Sequence, residues 1–307
     1  MKTKLPYYPY SDYQKDKYGE KVYKIPINLP VTCPNRDGTL GFNGCDFCAP
    51  EGAGFENLPS SMDIKSQLQS NIAYISNRYK AQKFVAYFQN YTNTYLSLEA
   101  LKGYLEQIEH EQVIELAIST RPDCLSPEQL DYLKEYREKH GKNIVLELGL
   151  QTANYHTLQK INRGHRLAAF INAVIQAKER GLETCAHIIA NLPGDEDLDM
   201  METAEILSAL KVDQVKIHAL YIMKNTALGR QYEEGKIKLI TKQDYQQRVI
   251  LFLEHLSGHI AVQRLIGRAP KENSLFVNWD TSWWKIRDEI IHRMNHEGTY
   301  QGKFSKF

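Results

Sequence analysis

Short apolar runs rich in β-branched and aromatic residues recur along the chain: VYKIPINL (22–29), KFVAYF (83–88), QVIELAI (112–118), NIVLELGL (143–150), ETCAHIIA (183–190) and QVKIHALYI (214–222). Between them, helical periodicity marks 62–79, 97–109, 127–139, 167–180 and 198–209. Strand and helix alternate at a period of roughly thirty to forty residues, which predicts βαβ units and a parallel sheet. The nearly continuous apolar character of the runs predicts strands covered on both faces. Six units fit an open doubly wound sheet or a partial TIM-like barrel, and in both the loops at the carboxyl ends of the strands build the site. The connection after the first run departs from the period, because a cysteine-bearing segment is inserted there.

The two ends have a different texture. Residues 1–24 hold Tyr7, Tyr8, Tyr10, Tyr13, Tyr18 and Tyr23 together with six lysines against three acids. Such interleaving suits a polynucleotide path, and equally a belt of aromatics that closes a barrel. Residues 241–307 carry helical stretches at 242–256 and 284–296 and finish on GTYQGKFSKF. The expected organisation is a core over 1–240 and a small extension over 241–307 packed against it. Trp283 and Trp284 are expected to pack the last helix. If both ends lie beside the barrel mouth, they form a modest basic rim.

Composition narrows the class. The chain has 307 residues, 42% of them apolar, which suffices for a sizeable core. Lys and Arg total 38 against 37 Asp and Glu, so no global charge points to nucleic acid. No apolar leader and no run of about eighteen apolar residues is present, so a cytoplasmic protein without a membrane span is expected.

Five cysteines in such a chain are thiols, and three of them cluster in TCPNRDGTLGFNGCDFC: Cys33, Cys45 and Cys48, spaced C-x11-C-x2-C. Thiolates select zinc, copper(I) or iron–sulfur. Structural zinc takes four ligands at short spacing. Here the next histidine is His110, two strand–helix units on, and Cys124 stands alone. Three thiolates can instead hold three irons of a 4Fe–4S cluster and leave the fourth open to an outside ligand. Gly38, Gly41 and Gly44 would let the backbone wrap such a cluster. Zinc, or cysteines without metal, is the plainer alternative. Cys124 and Cys185 read as small buried hydrophobes.

The loop, with Phe47 just before its last cysteine, resembles the cluster loop of radical S-adenosylmethionine (SAM) enzymes. PINLPVTCPNRDGT, YFQNYTNTY, ISTRPDCL, LELGLQTAN, INRGH, IIANLPGDE and HALYIMKNTALGRQYEEGK resemble, in order, the motifs of a bacterial branch of that family over residues 5–305. The branch is similar to the Elongator catalytic subunit and, more distantly, to oxygen-independent coproporphyrinogen oxidase. The resemblance implies a partial (β/α)6 TIM-like barrel with a small helical C-terminal extension. It implies a 4Fe–4S cluster on Cys33, Cys45 and Cys48, and SAM chelating the open iron. Reductive cleavage of SAM would then yield a 5′-deoxyadenosyl radical, with flavodoxin or ferredoxin as reductant.

Carried over position by position, the resemblance makes Phe47, Gln89, Asn93, Ser119, Gln151, Arg163, His187 and Leu220 the cofactor contacts. Gln151 and Arg163 would serve the ribose and the methionine carboxylate, for which a guanidinium is apt. Two departures stand out. FQNYTN (88–93) replaces a glycine-rich turn that meets the SAM amino group, and Ser119 stands where relatives often have glutamate. The implied substrate is transfer RNA at carbon 5 of the wobble uridine, with trimming of carboxymethylaminomethyl towards aminomethyl. No acetyltransferase region follows the small extension, so an acetyl-CoA-dependent step is not expected. A radical SAM enzyme of a small molecule or peptide, and a non-catalytic metal- or RNA-binding protein, are the other readings.

Overall fold

The structure is a computed structural model, and it describes residues 5–49, 52, 57–270 and 272–307. Its core alternates β1 (Tyr23–Ile27), α2 (Ile64–Tyr79), β2 (Phe84–Phe88), α3 (Leu98–Leu105), β3 (Val113–Thr120) and α4 (Pro127–His140). It continues through β4 (Asn143–Gln151), α5 (Tyr155–Lys160), α6 (Leu167–Glu179), β5 (Glu183–Ile189), α7 (Asp197–Ala209) and β6 (Gln214–His218). After β7 (Ile222–Met223), α8 (Ala227–Glu233) and α9 (Lys242–His255) come β8 (Ala261–Arg264), β9 (Ser274–Phe276) and α10 (Trp283–His296), and a first helix, α1 (Tyr10–Tyr18), precedes everything. The main sheet runs β1-β2-β3-β4-β5-β6-β8 with every neighbouring pair parallel. This is the partial TIM-like barrel expected from the repeat, with a seventh strand that the C-terminal region lends to the sheet. Among the described residues no helix is long and apolar enough to cross a membrane.

The strands are covered on both faces, as expected, but the two faces differ in character. Ile25 and Ile27, Phe84 and Phe88, Leu116 and Ile118, Leu146 and Leu148, Ile188, and Val215 and Ile217 belong to one core shared with the surrounding helices. The intervening positions, among them Lys24, Tyr87, Glu115, Glu147, His187 and Lys216, form the other face, and parallel register aligns them across the sheet. The outer face excludes water by burial of aliphatic surface. The inner face is polar and survives burial only because its groups find partners. The helices begin on strong signals: α4 has Pro127 at its first turn and a reciprocal Ser126–Gln129 capping box.

The tyrosines of the first segment close the bottom of this barrel. Glu115 and Glu183 stand near the amino ends of β3 and β5. Tyr18 Oη donates to Glu115 Oε2 at 2.5 Å and Tyr13 Oη to Glu183 Oε2 at 2.7 Å, and Lys17 pairs with both carboxylates. Of the two readings of this segment, the aromatic belt is the one observed for Tyr10, Tyr13 and Tyr18. Because α1 lies at the amino ends of the strands, it adds nothing to a basic rim at the opposite mouth. The Trp283–Trp284 expectation is also corrected. Both rings are substantially exposed, and α10 packs through Ile286, Ile290 and Met294 instead.

Glu115 is fully buried, so the loss of one donor to it is costly. Tyr18→Phe is expected to lower unfolding free energy by about 1.5–3 kcal/mol, the range for hydrogen bonds to charged groups, in urea titration. A change within about 0.5 kcal/mol would mean that α1 is not tied down by this bond.

Candidate functional site

The loop between β1 and α2 opens at the carboxyl ends of the strands, where barrel sites form. Its three cysteines are fixed by short turns: the Arg36 N–H donates to the Cys33 carbonyl and the Cys48 N–H to the Cys45 carbonyl, both at 2.8 Å. Gly38 (φ 95°) and Gly44 (φ 77°) occupy the left-handed region that the expected wrapping needs, whereas Gly41 does not. All five cysteines are free thiols.

Cations and amide donors converge on this loop. Arg36 Nη2 donates to Cys48 Sγ at 3.2 Å and to the Ala49 carbonyl at 2.6 Å. Arg163 Nη1 and Asn35 Nδ2 each reach Cys45 Sγ at 3.5 Å. Arg121 is buried, grips Asp123 through Nε and Nη2 at 3.0 and 2.8 Å, and donates from Nη1 to the Arg163 carbonyl at 2.8 Å. Burial opposes its charge, but Asp123 and the nearby Cys33 and Cys45 hold its pKa above the ordinary value. Burial and Cys45 push the Cys48 thiol up, while Arg36 pulls it down. Cys124 is only half-buried, and burial and Asp123 push its thiol up to about 12. Cys185 is buried inside the barrel beside Gln263, as its reading as a small buried residue implied.

Gln151 and Arg163, twelve positions apart in sequence, meet over Gly149. A Cβ there would lie 2.5 Å from Arg163 Nη2 and 3.0 Å from Gln151 Nε2. The strand register slips between Gly149 and Gln151, and Gln151 takes φ 78°, which turns its side chain into the site. Arg163 donates from Nη2 and Nε to the Gly149 carbonyl at 2.8 and 3.3 Å. With Nη1 on Cys45, two of the five guanidinium N–H donors remain.

The other expected contacts divide. Asn93 Nδ2 staples the loop after β2, donating to the carbonyls of Phe88, Asn90 and Ser119 at 3.1, 3.0 and 2.8 Å. Its buried Oδ1 has no partner among the described residues. The Gln89 N–H donates to the Ile27 carbonyl. Ser119 Oγ pairs with Tyr87 Oη at 3.0 Å on the inner face. Phe47 packs on a cluster containing Leu192 and Leu220, and the Leu220 N–H is taken by Asn191 Oδ1 at 2.6 Å. His187 lies deeper, its Nε2 2.8 Å from Glu147 Oε2 and its Nδ1 3.3 Å from His218 Nε2. Burial and Lys216 lower its pKa to about 4, so it is neutral.

Sequence reasoning passed over Asn35, Arg36, Arg121 and, apart from Ser119 and His187, the polar groups of the inner face. The signals were present. Arg121 is a charge at the end of an apolar strand, and LELGLQ and QVKIH alternate polar with apolar.

Residues 28–207 match the Radical SAM superfamily, and residues 212–296 match the Radical_SAM C-terminal domain. The chain belongs to the radical SAM superfamily. It is 34% identical over 303 residues to the uncharacterized protein YtqA of Bacillus subtilis strain 168, covering 98% of this chain and 94% of that protein. It is 31% identical over 145 residues to a tRNA uridine(34) acetyltransferase of Methanocaldococcus jannaschii, covering 46% of this chain and 26% of the relative. The fold matches the archaeal Methanocaldococcus infernus Elp3 structure with TM-score 0.70 at 16% identity, over 91% of this chain and 64% of that one. The cofactors of this radical SAM enzyme are a 4Fe–4S cluster and SAM.

Gly149 has no room for a side chain. Gly149→Ala is expected to displace the Arg163 guanidinium and cost about 1–3 kcal/mol, as overpacking does. Chemical denaturation reads this directly, and wild-type stability would show that the guanidinium is free to move aside.

Proposed function

We propose that this enzyme acts on transfer RNA at carbon 5 of the wobble uridine, removing the carboxymethyl group of a carboxymethylaminomethyl side chain to leave aminomethyl. The observation that carries the radical chemistry is the three-thiol loop ringed by Arg36, Arg121 and Arg163. That donor set suits an anionic cluster, since cations and N–H donors at the sulfurs stabilise its charge. The tRNA assignment is supported by the similarity to a tRNA uridine(34) acetyltransferase.

Cys33, Cys45 and Cys48 would hold three irons and leave one for SAM. Gln151 and the two spare donors of Arg163 would take its ribose and carboxylate, and the unpartnered Asn93 Oδ1 would accept from its amino group. Phe47 and Leu220 would border the adenine, Leu220 through its carbonyl because its N–H is engaged. Gln89 and Ser119 would complete the wall at the ends of β2 and β3. When bound, the cluster and SAM supply an adenosyl radical able to take hydrogen from an unactivated carbon. An electron carrier such as flavodoxin or ferredoxin would deliver the reducing electron.

The reaction balances with SAM as two-electron oxidant, because the electron that starts SAM cleavage would be returned when the substrate radical left by hydrogen removal is oxidised. The N–CH2 carbon of the carboxymethyl group is oxidised to the imine level, and water then breaks the C–N bond. The products are the aminomethyl nucleoside, glyoxylate, methionine, 5′-deoxyadenosine and one proton.

Three results are expected. Cys33→Ala, Cys45→Ala and Cys48→Ala should each abolish 5′-deoxyadenosine formation after anaerobic reconstitution. Arg163→Ala should retain iron but bind SAM at least about tenfold more weakly by calorimetry, the effect of losing one charge-assisted bond. Nucleoside mass spectrometry of bulk tRNA from a strain lacking the gene should show carboxymethylaminomethyluridine accumulating, and an unaltered profile would refute the tRNA reading.

A further inference from the structure

The barrel lumen beneath the cysteine loop carries more positive charge than it can neutralise. Its one central carboxylate, Glu147, is buried and already saturated: Lys24 pairs with Oε1, Lys216 with Oε2 at 2.7 Å, His187 with Oε2 at 2.8 Å, and Gln263 Nε2 donates at 3.2 Å. Arg264, at the end of β8 and in register with Lys216, stands outside that arrangement. Its Nη2 lies 2.7 Å from His218 Nδ1, and its buried Nε has no partner. No carboxylate among the described residues pairs with it.

The histidines fix how this chain of groups is protonated. Since His187 Nε2–H donates to Glu147, the other nitrogen of the neutral ring, Nδ1, is an acceptor. His218 Nε2, 3.3 Å away, can donate to that nitrogen, and Arg264 Nη2 lies 2.7 Å from His218 Nδ1 and 3.2 Å from His218 Nε2. Both rings are therefore neutral and offer Arg264 no counter-charge. A guanidinium left with a buried N–H and no anion is costly, unless an anion arrives with the ligand. Arg264, His218 and His187 also retain partial exposure, while Glu147, Cys185 and Lys216 below them are buried. Arg264 is the last residue of β8, so it stands at the carboxyl-end side of the sheet, the side on which the cysteine loop opens.

We propose that the Arg264 guanidinium, oriented by His218, is an anion-binding subsite in the barrel lumen that takes the carboxylate at the end of the substrate's side chain. The identity of that carboxylate rests on the reaction proposed above. The subsite itself rests on the unpaired cation. A planar fork suits a carboxylate through two parallel N–H donors. Anchoring the carboxylate at Arg264 would place the adjacent CH2 between that anchor and the cysteine loop, where hydrogen is removed.

The test uses the reconstituted holoenzyme with SAM and two tRNAs, one bearing carboxymethylaminomethyluridine and one bearing aminomethyluridine. Wild type should bind the carboxylated tRNA at least about tenfold more tightly. Arg264→Gln should bring that ratio to about one, and Arg264→Lys, which keeps the charge but not the fork, should give an intermediate ratio. A ratio unchanged in both variants overturns the subsite. If Arg264→Gln fails to fold, the lysine variant alone decides. If wild type neither prefers nor converts the carboxylated tRNA, the proposed reaction fails, and N-methylglycine then judges the subsite by itself. Saturable binding to wild type that weakens at least about tenfold in the variant supports it, and no binding to wild type overturns it.

Discussion

The inner face of this barrel is organised around one buried carboxylate. Glu147 receives Lys24 from β1, His187 from β5, Lys216 from β6 and Gln263 from β8, so a single side chain links strands from both edges of the sheet to its middle. Burial alone would raise its pKa. Lys216, Lys24 and His187 reverse that and hold it well below the carboxylate range. The partners are conditional on one another: removal of one member of such a set leaves a buried charge uncompensated, at a cost of about 3–5 kcal/mol. An apolar lumen would have packed as tightly. It would not have aligned polar groups beneath a site.

Charge is thus layered along the barrel axis. Glu115 and Glu183 face tyrosine hydroxyls and Lys17 at the amino ends of the strands, Glu147 and its lysines fill the middle, and the arginines gather at the cysteine loop. The backbone makes the top layer possible. The slip at Gly149 and the left-handed turn at Gln151 bring Gln151 and Arg163 onto the same spot, and Arg121 locks the Arg163 backbone from behind. A rigid shell of this kind holds first contacts in place.

Much of this was legible in the sequence, because it follows from local pattern. The six core strands and the helices between them sit within a few residues of the apolar runs and helical stretches. The spacing of Cys33, Cys45 and Cys48 pointed to a metal, and the fold gathers them in one loop at the carboxyl ends of the strands. The errors have physical causes. Runs such as NIVLELGL show that both faces are covered but not that one of them is largely polar, because lone polar residues among aliphatics look like noise until a parallel register stacks Glu147 beside Ser119 and Cys185. The strand at Ala261–Arg264 is short, and only pairing with β6 defines it. Arg36 and Arg121 acquire meaning only from sulfurs brought to them by folding.

The seal that α1 makes at the amino ends has a consequence for traffic. A lumen stoppered at one end is a blind well, so whatever enters last obstructs whatever entered first. With the polymer substrate proposed above, a small cofactor would have to be seated before the polymer reached the opening, and the spent fragments would depart only once the polymer withdrew. Order of binding is then imposed by shape, without any moving gate.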